Sequence, residues 1–158
     1  MAKKRIAVLF GGASADHAAS LHTAYSVLSS LPKEIEPLAI GITRAGRWLF
    51  YPGSYENIKD GSWEQDSDCC SCVISPDMTN KGVIKIISDG ESTIHRIDAV
   101  FPVLHGKYGE DGRVQGLCKL AGLPVIGNDF AAAAPRNDRR KMELVLSDSN
   151  IKIGRAHV

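Results

Sequence analysis

The chain has 158 residues, a size for one domain with a sizeable core, and 44% of them are apolar and 23% charged, the proportions of an ordinary globular protein. Basic and acidic residues are interspersed and balance to +1, which leaves no electrostatic footprint for nucleic acid or for an anionic membrane surface. No apolar run approaches the ~20 residues of a membrane span, and the apolar part of "MAKKRIAVLFGG" is too short for a secretory signal, so a cytoplasmic location is expected.

The stretch "RIAVLFGG" (5–12) predicts a strand running into a double glycine. "SADHAASLHTAYSVLSSL" then predicts a helix, with Leu21, Tyr25, Leu28 and Leu31 at helical spacing and Ser14 as the N-cap. "EIEPLAIGIT" (34–43) supplies the next strand, and "RAGRWLFY" a turn at Ala45-Gly46 with a short return strand. Residues 52–72 are polar and read as irregular structure anchored by Trp63, with a strand entered at "CVIS". "GVIKIIS" and "TIHRID" predict a hairpin across Asp89-Gly90.

"DAVFPVL" (98–104) is an apolar run suited to a strand covered on both faces. It is followed by a helix over "DGRVQGLCKLAG" ending at Gly122, a short strand in "LPVIG", and a last helix over "DRRKMELVLSDSN". Strands alternating with helices predict an α/β fold, a mostly parallel sheet with helices on both faces plus a short antiparallel hairpin. Ligands of such sheets collect beyond the carboxyl ends of the strands. Both glycine-rich loops, 11–16 and 105–112, lie at such ends.

Each loop carries candidate chemistry. Asp16 falls in the predicted first helical turn, where a carboxylate either complements the helix dipole, worth about 0.3–1 kcal/mol, or faces a ligand ammonium group. His105 stops an apolar run and reads either as a rim group or as a functional ring. Gly106, Gly109 and Gly112 permit close backbone approach; Glu110 reads as a solvated acid and Asp111 as an N-cap. The first loop lacks both G-x-G-x-x-G and the Lys-Ser/Thr ending of a phosphate loop, which argues against a nucleotide-binding oxidoreductase. Cys69, Cys70 and Cys72 cluster without paired C-x-x-C spacing or nearby histidines, so no metal site is expected.

Together, "VLFGGASADHAASLHTA" (8–24) and "FPVLHGKYGEDGRVQGLCKLAGLPVIG" (101–127) closely resemble the amino-terminal domain of D-alanine–D-alanine ligases, and the resemblance runs over residues 4–151. "GITRAGRWLFY" is similar to the branch that contains D-alanine–D-serine ligases. The resemblance implies a Rossmann-like domain over 1–151 that precedes an ATP-grasp domain, the latter absent from this chain. Residues 152–158 have no family counterpart and read as a non-native tail.

Such ligases supply cell-wall dipeptide precursors. ATP, with two magnesium ions, phosphorylates the carboxylate of one D-alanine, and the amine of a second D-amino acid attacks the acyl phosphate. By the same resemblance Asp16 bonds the ammonium group of the first D-alanine, His105 and Gly106 lie beside its carboxylate, and Arg139 takes the place of a lysine that reaches ATP. Homodimerisation of the full-length enzyme is implied as well. The chain alone is expected not to ligate; the alternative expectation is a non-catalytic binding module for a small molecule or a partner. Asp16 is one methylene shorter than the family's glutamate, and "AAAPRNDRRKM" (132–142) departs from the family's "SALSMDKxxxK".

Overall fold

The computed structural model describes residues 2–87, 89–107 and 109–127; Arg139, the helix predicted over 138–150 and the tail at 152–158 lie outside the described residues. Strand β1 (Lys4–Gly11) opens the fold, followed by helix α1 (His17–Ser30), β2 (Ile35–Ile42), β3 (Trp48–Tyr51), α2 (Tyr55–Asp60), a 3-10 helix over Ser62–Gln65, β4 (Cys70–Ile74), the hairpin β5 (Gly82–Ile86) and β6 (Ser92–Arg96), β7 (Ala99–Pro102) and α3 (Arg113–Leu120). One seven-stranded sheet results, in the order β6-β5-β4-β3-β2-β1-β7.

The α/β class and its helices on both faces are observed, but the sheet is mixed rather than mostly parallel. Among the described strands the parallel pairings are those of β1, with β2 on one side and β7 on the other. The pairs from β2 through β6 are all antiparallel. The reason lies in the connections. A crossover helix must carry the chain back along the sheet, whereas α2 has six residues and spans only about 9 Å.

Strand β1 explains how the core is divided. Successive side chains point to opposite faces, so Ala7 and Leu9 join one cluster with Ile40, Val100, Val114 and Cys118. Val8 and Phe10 join the other, with Leu21, Ala24, Leu28, Ile58 and Trp63. All four β1 residues are fully buried, at roughly 1.5–3 kcal/mol for each large apolar side chain. Helix α1 therefore covers one face and α3 the other. Helix α1 stops before Pro32, whose ring cannot continue it.

Several boundaries differ from expectation. The 52–72 segment is not irregular: it holds α2, the 3-10 turn and the start of β4, and Trp63 is its fully buried anchor. Ile58 is the one buried position of α2, with Tyr55 packed half-buried against the same core, too little to produce a helical period. Helix α3 is capped at Gly112 in the left-handed region, not at Asp111, whose carboxylate instead accepts the Arg113 N–H at 3.2 Å. "LPVIG" contributes only a single bridge, Val125 to Val100. No helix among the described residues is long and apolar enough to cross a membrane.

Candidate functional site

Because β1 and β7 are parallel neighbours, with Val8 opposite Phe101 and Leu9 opposite Pro102, the loops leaving their carboxyl ends are neighbours too. The strand order departs from β1 in both directions, to β2 and to β7, which is where open α/β sheets form a ligand crevice. Asp16 and His105, far apart in sequence, are brought together by this one pairing.

The first loop is held by backbone geometry. Gly11 and Gly12 have φ of +87° and +98°, a region open to glycine at little cost. A methyl on Gly11 would overlap the Ile42 carbonyl, and the Gly12 N–H donates to that same carbonyl at 2.7 Å. Two serines then join this loop to the second one. Buried Ser20 accepts the Gly11 N–H at 2.8 Å and donates to the Val103 carbonyl. Ser14 donates to the His105 carbonyl at 2.8 Å and accepts the Asp16 N–H at 3.2 Å.

Ser14 is therefore not the N-cap. Asp16 occupies that position, just before the first helical turn, and its side chain makes no capping hydrogen bond. Its carboxylate is turned instead to the second loop, with Oδ2 filling the space where a side chain on Gly106 would begin. Gly106 has φ +73° and donates its N–H to Glu110 Oε2 at 3.3 Å. Glu110, expected as a solvated acid, thus braces the backbone beside Asp16. The His105 ring sits 3.1 Å from the Thr23 hydroxyl through Nε2.

A cavity of about 360 Å³ opens at the same ends of the strands, lined by Gly12, Ser14, Trp48, Leu104, His105 and Val114 among others. That volume lies in the range of small-molecule sites. His105 is on its wall, whereas Asp16 is not among its lining residues and stands on the Gly106 side. The arrangement offers a carboxylate for a cation, an imidazole for an anionic oxygen and glycine backbone between them, a combination suited to a small zwitterion.

Sequence reasoning assigned no role to Ser20 or Thr23 and gave Glu110 and Ser14 other ones. The signal for the three hydroxyl residues was their recurrence at 14, 20 and 23, the first in the loop before α1 and the other two on the helix; Glu110 had none. Among the described residues no group of three or more His, Cys, Asp or Glu side chains could hold a metal ion. The cysteines are free thiols; burial pushes Cys72 up to about 12 and Cys118 up to about 11, which leaves them protonated and unreactive near neutrality. Arg139 lies outside the described residues.

Residues 5–128 match the family described as "D-ala D-ala ligase N-terminus". The D-alanine–D-alanine ligase of Caldicellulosiruptor bescii is 48% identical over 135 residues, which are 85% of this chain and 36% of that protein. That of Clostridium acetobutylicum is 38% identical over 151 residues, 95% of this chain and 40% of that protein. Among solved structures, the VanG D-Ala:D-Ser ligase of Enterococcus faecalis superposes with a TM-score of 0.87 at 38% identity, over 97% of this chain and 44% of that one. The D-alanine–D-alanine ligase of Coxiella burnetii gives 0.78 at 27% identity, over 96% and 43%. The chain spans about two fifths of the length of these relatives.

Proposed function

This chain belongs to the D-ala D-ala ligase N-terminus family, and on that footing we propose that it is the part of an ATP-dependent D-alanine–D-alanine or D-alanine–D-serine ligase that grips the first D-alanine. Asp16 takes the ammonium group, His105 lies beside the carboxylate, and Gly106 gives the backbone room for both. The observation that carries this reading is the placement of the Asp16 carboxylate against Gly106, the residue that follows His105 in the chain. A charge-assisted contact to the ammonium contributes about 1.5–3 kcal/mol.

In the full-length enzyme, by this proposal, residues 1–151 form the first domain of a cytoplasmic homodimer, 152–158 are a foreign tail, and Arg139 approaches the nucleotide. ATP and two magnesium ions belong to the reaction of the whole enzyme. Among the described residues no group of His, Cys, Asp or Glu side chains fits magnesium; Asp16, His105 and Gly106 bind and orient the amino acid.

Titration calorimetry tests the proposal. The purified chain is expected to bind D-alanine without ATP, to ignore L-alanine, and to release no ADP when ATP and magnesium are added. D-alanine-dependent ADP release from this chain alone would contradict it. A second expectation follows from the backbone. Gly106→Ala places a methyl on the Asp16 carboxylate and costs about 1–2 kcal/mol in the left-handed region. D-alanine binding should fall at least about tenfold, the loss of one charge-assisted contact, while the circular dichroism spectrum stays that of the parent.

A further inference from the structure

We infer that Thr23, on the second turn of α1, is a positioning residue that decides which nitrogen of the His105 ring carries the fixed proton and which is presented to a ligand. The inference rests on the reading of His105 as a substrate-side group. It begins with a single hydrogen. Thr23 Oγ1 donates to the Ala19 carbonyl, one helical turn back, at 2.9 Å, and a hydroxyl has one proton to give. The same oxygen lies 3.1 Å from His105 Nε2. With its proton committed to Ala19, it accepts at His105, so Nε2 is the protonated nitrogen. The opposite tautomer requires the hydroxyl to abandon the Ala19 carbonyl.

Nδ1 is then the nitrogen left for chemistry; among the described residues it has no hydrogen-bond partner. The arrangement serves both charge states of the ring. The neutral ring presents a lone pair at Nδ1. When an anionic oxygen approaches, that nitrogen takes a proton from solvent and donates it in a hydrogen bond, and the Nε2–H to Thr23 bond stays as it was. Thr23 need not turn in either state. The main chain of the same residue is fixed separately, by Ser14 on the His105 carbonyl. Ring and backbone of His105 are thus both held from the loop and helix that carry Asp16, which sets the spacing between the cation-binding and anion-binding groups.

The test is ¹⁵N spectroscopy of the histidine rings in the 158-residue chain, above the imidazole titration range, with His105 assigned by loss of its signals in His105→Gln. The expected spectrum has a protonated Nε2 and an unprotonated Nδ1. Thr23→Val should return the ring to the tautomer mixture of a free imidazole and weaken D-alanine binding roughly two- to tenfold, the worth of one hydrogen bond. Thr23→Ser should keep both the parent spectrum and the parent affinity. Thr23 is exposed, and amide spectra of the variants report that the fold is retained. A His105 ring protonated at Nδ1 in the parent, or a Thr23→Val ring spectrum identical to the parent's, overturns the inference. Should D-alanine fail to bind the parent chain, the substrate reading of the site falls, while the tautomer assignment is still decided by the ring spectrum alone.

Discussion

Asp16→Asn is expected to weaken D-alanine binding by on the order of ten- to a hundredfold, the loss of a charge-assisted hydrogen bond to an ammonium group. The substitution keeps size and shape, and Asp16 is exposed with no capping hydrogen bond to lose, so stability should change by less than about 0.5 kcal/mol. That separation of effects identifies a ligand-facing carboxylate. A capping carboxylate would behave the other way, with stability falling and affinity preserved. Asp16→Glu supplies the longer side chain of the family motif and should bind at least as tightly as the parent. Calorimetric titration of the three chains with D-alanine, beside their urea midpoints, checks each part.

Trp63→Ala is expected to cost about 3–5 kcal/mol of folding stability, a large share of the 5–15 kcal/mol typical of a domain. The ring is fully buried and packs edge-on against Phe10, with centroids 5.0 Å apart, and against Tyr51 at 6.2 Å. It also lies over Gly41, where any side chain would overlap the indole. Removing it empties the space between β1, β2 and α2 that no neighbour can fill. Among the described residues its buried Nε1 has no hydrogen-bond partner, so Trp63→Phe sacrifices volume but no bond and should cost far less than alanine. Urea denaturation with constant m-value would show both shifts.

Legibility of this fold from sequence depended on how many residues each signal spans. Strand β1 and helix α1 were readable because an apolar run from Ile6 to Phe10 ending in a double glycine and two full turns of helical spacing are long patterns. The β5–β6 turn was readable from Asp89-Gly90, and Gly90 indeed has φ +80°. Helix α2 was missed because six residues with one buried position make no period. Its local marks were at the end: Gly61, which closes it in the left-handed region with φ +85°, and the Lys59 charge in its last turn.

The mixed character of the sheet was not legible either. Alternation of strands and helices implies crossovers only when the helices are long enough to span the sheet. The site shows the same division. Glycine loops at strand ends marked Asp16 and His105 as candidates, but their adjacency follows from the β1–β7 pairing, a contact that no local pattern encodes. Ser20 and Glu110 were invisible as functional groups for the same reason, since each acts on backbone from a distant or folded-back segment.

The most direct test of the central claim is an NMR titration of the chain with D-alanine, following the backbone amides of Asp16 and Gly106 and the ring of His105. Saturable shifts concentrated at these three residues, absent with L-alanine and absent in Asp16→Asn, are the predicted result. Shifts that cluster elsewhere, or none up to the solubility limit of D-alanine, would contradict the account.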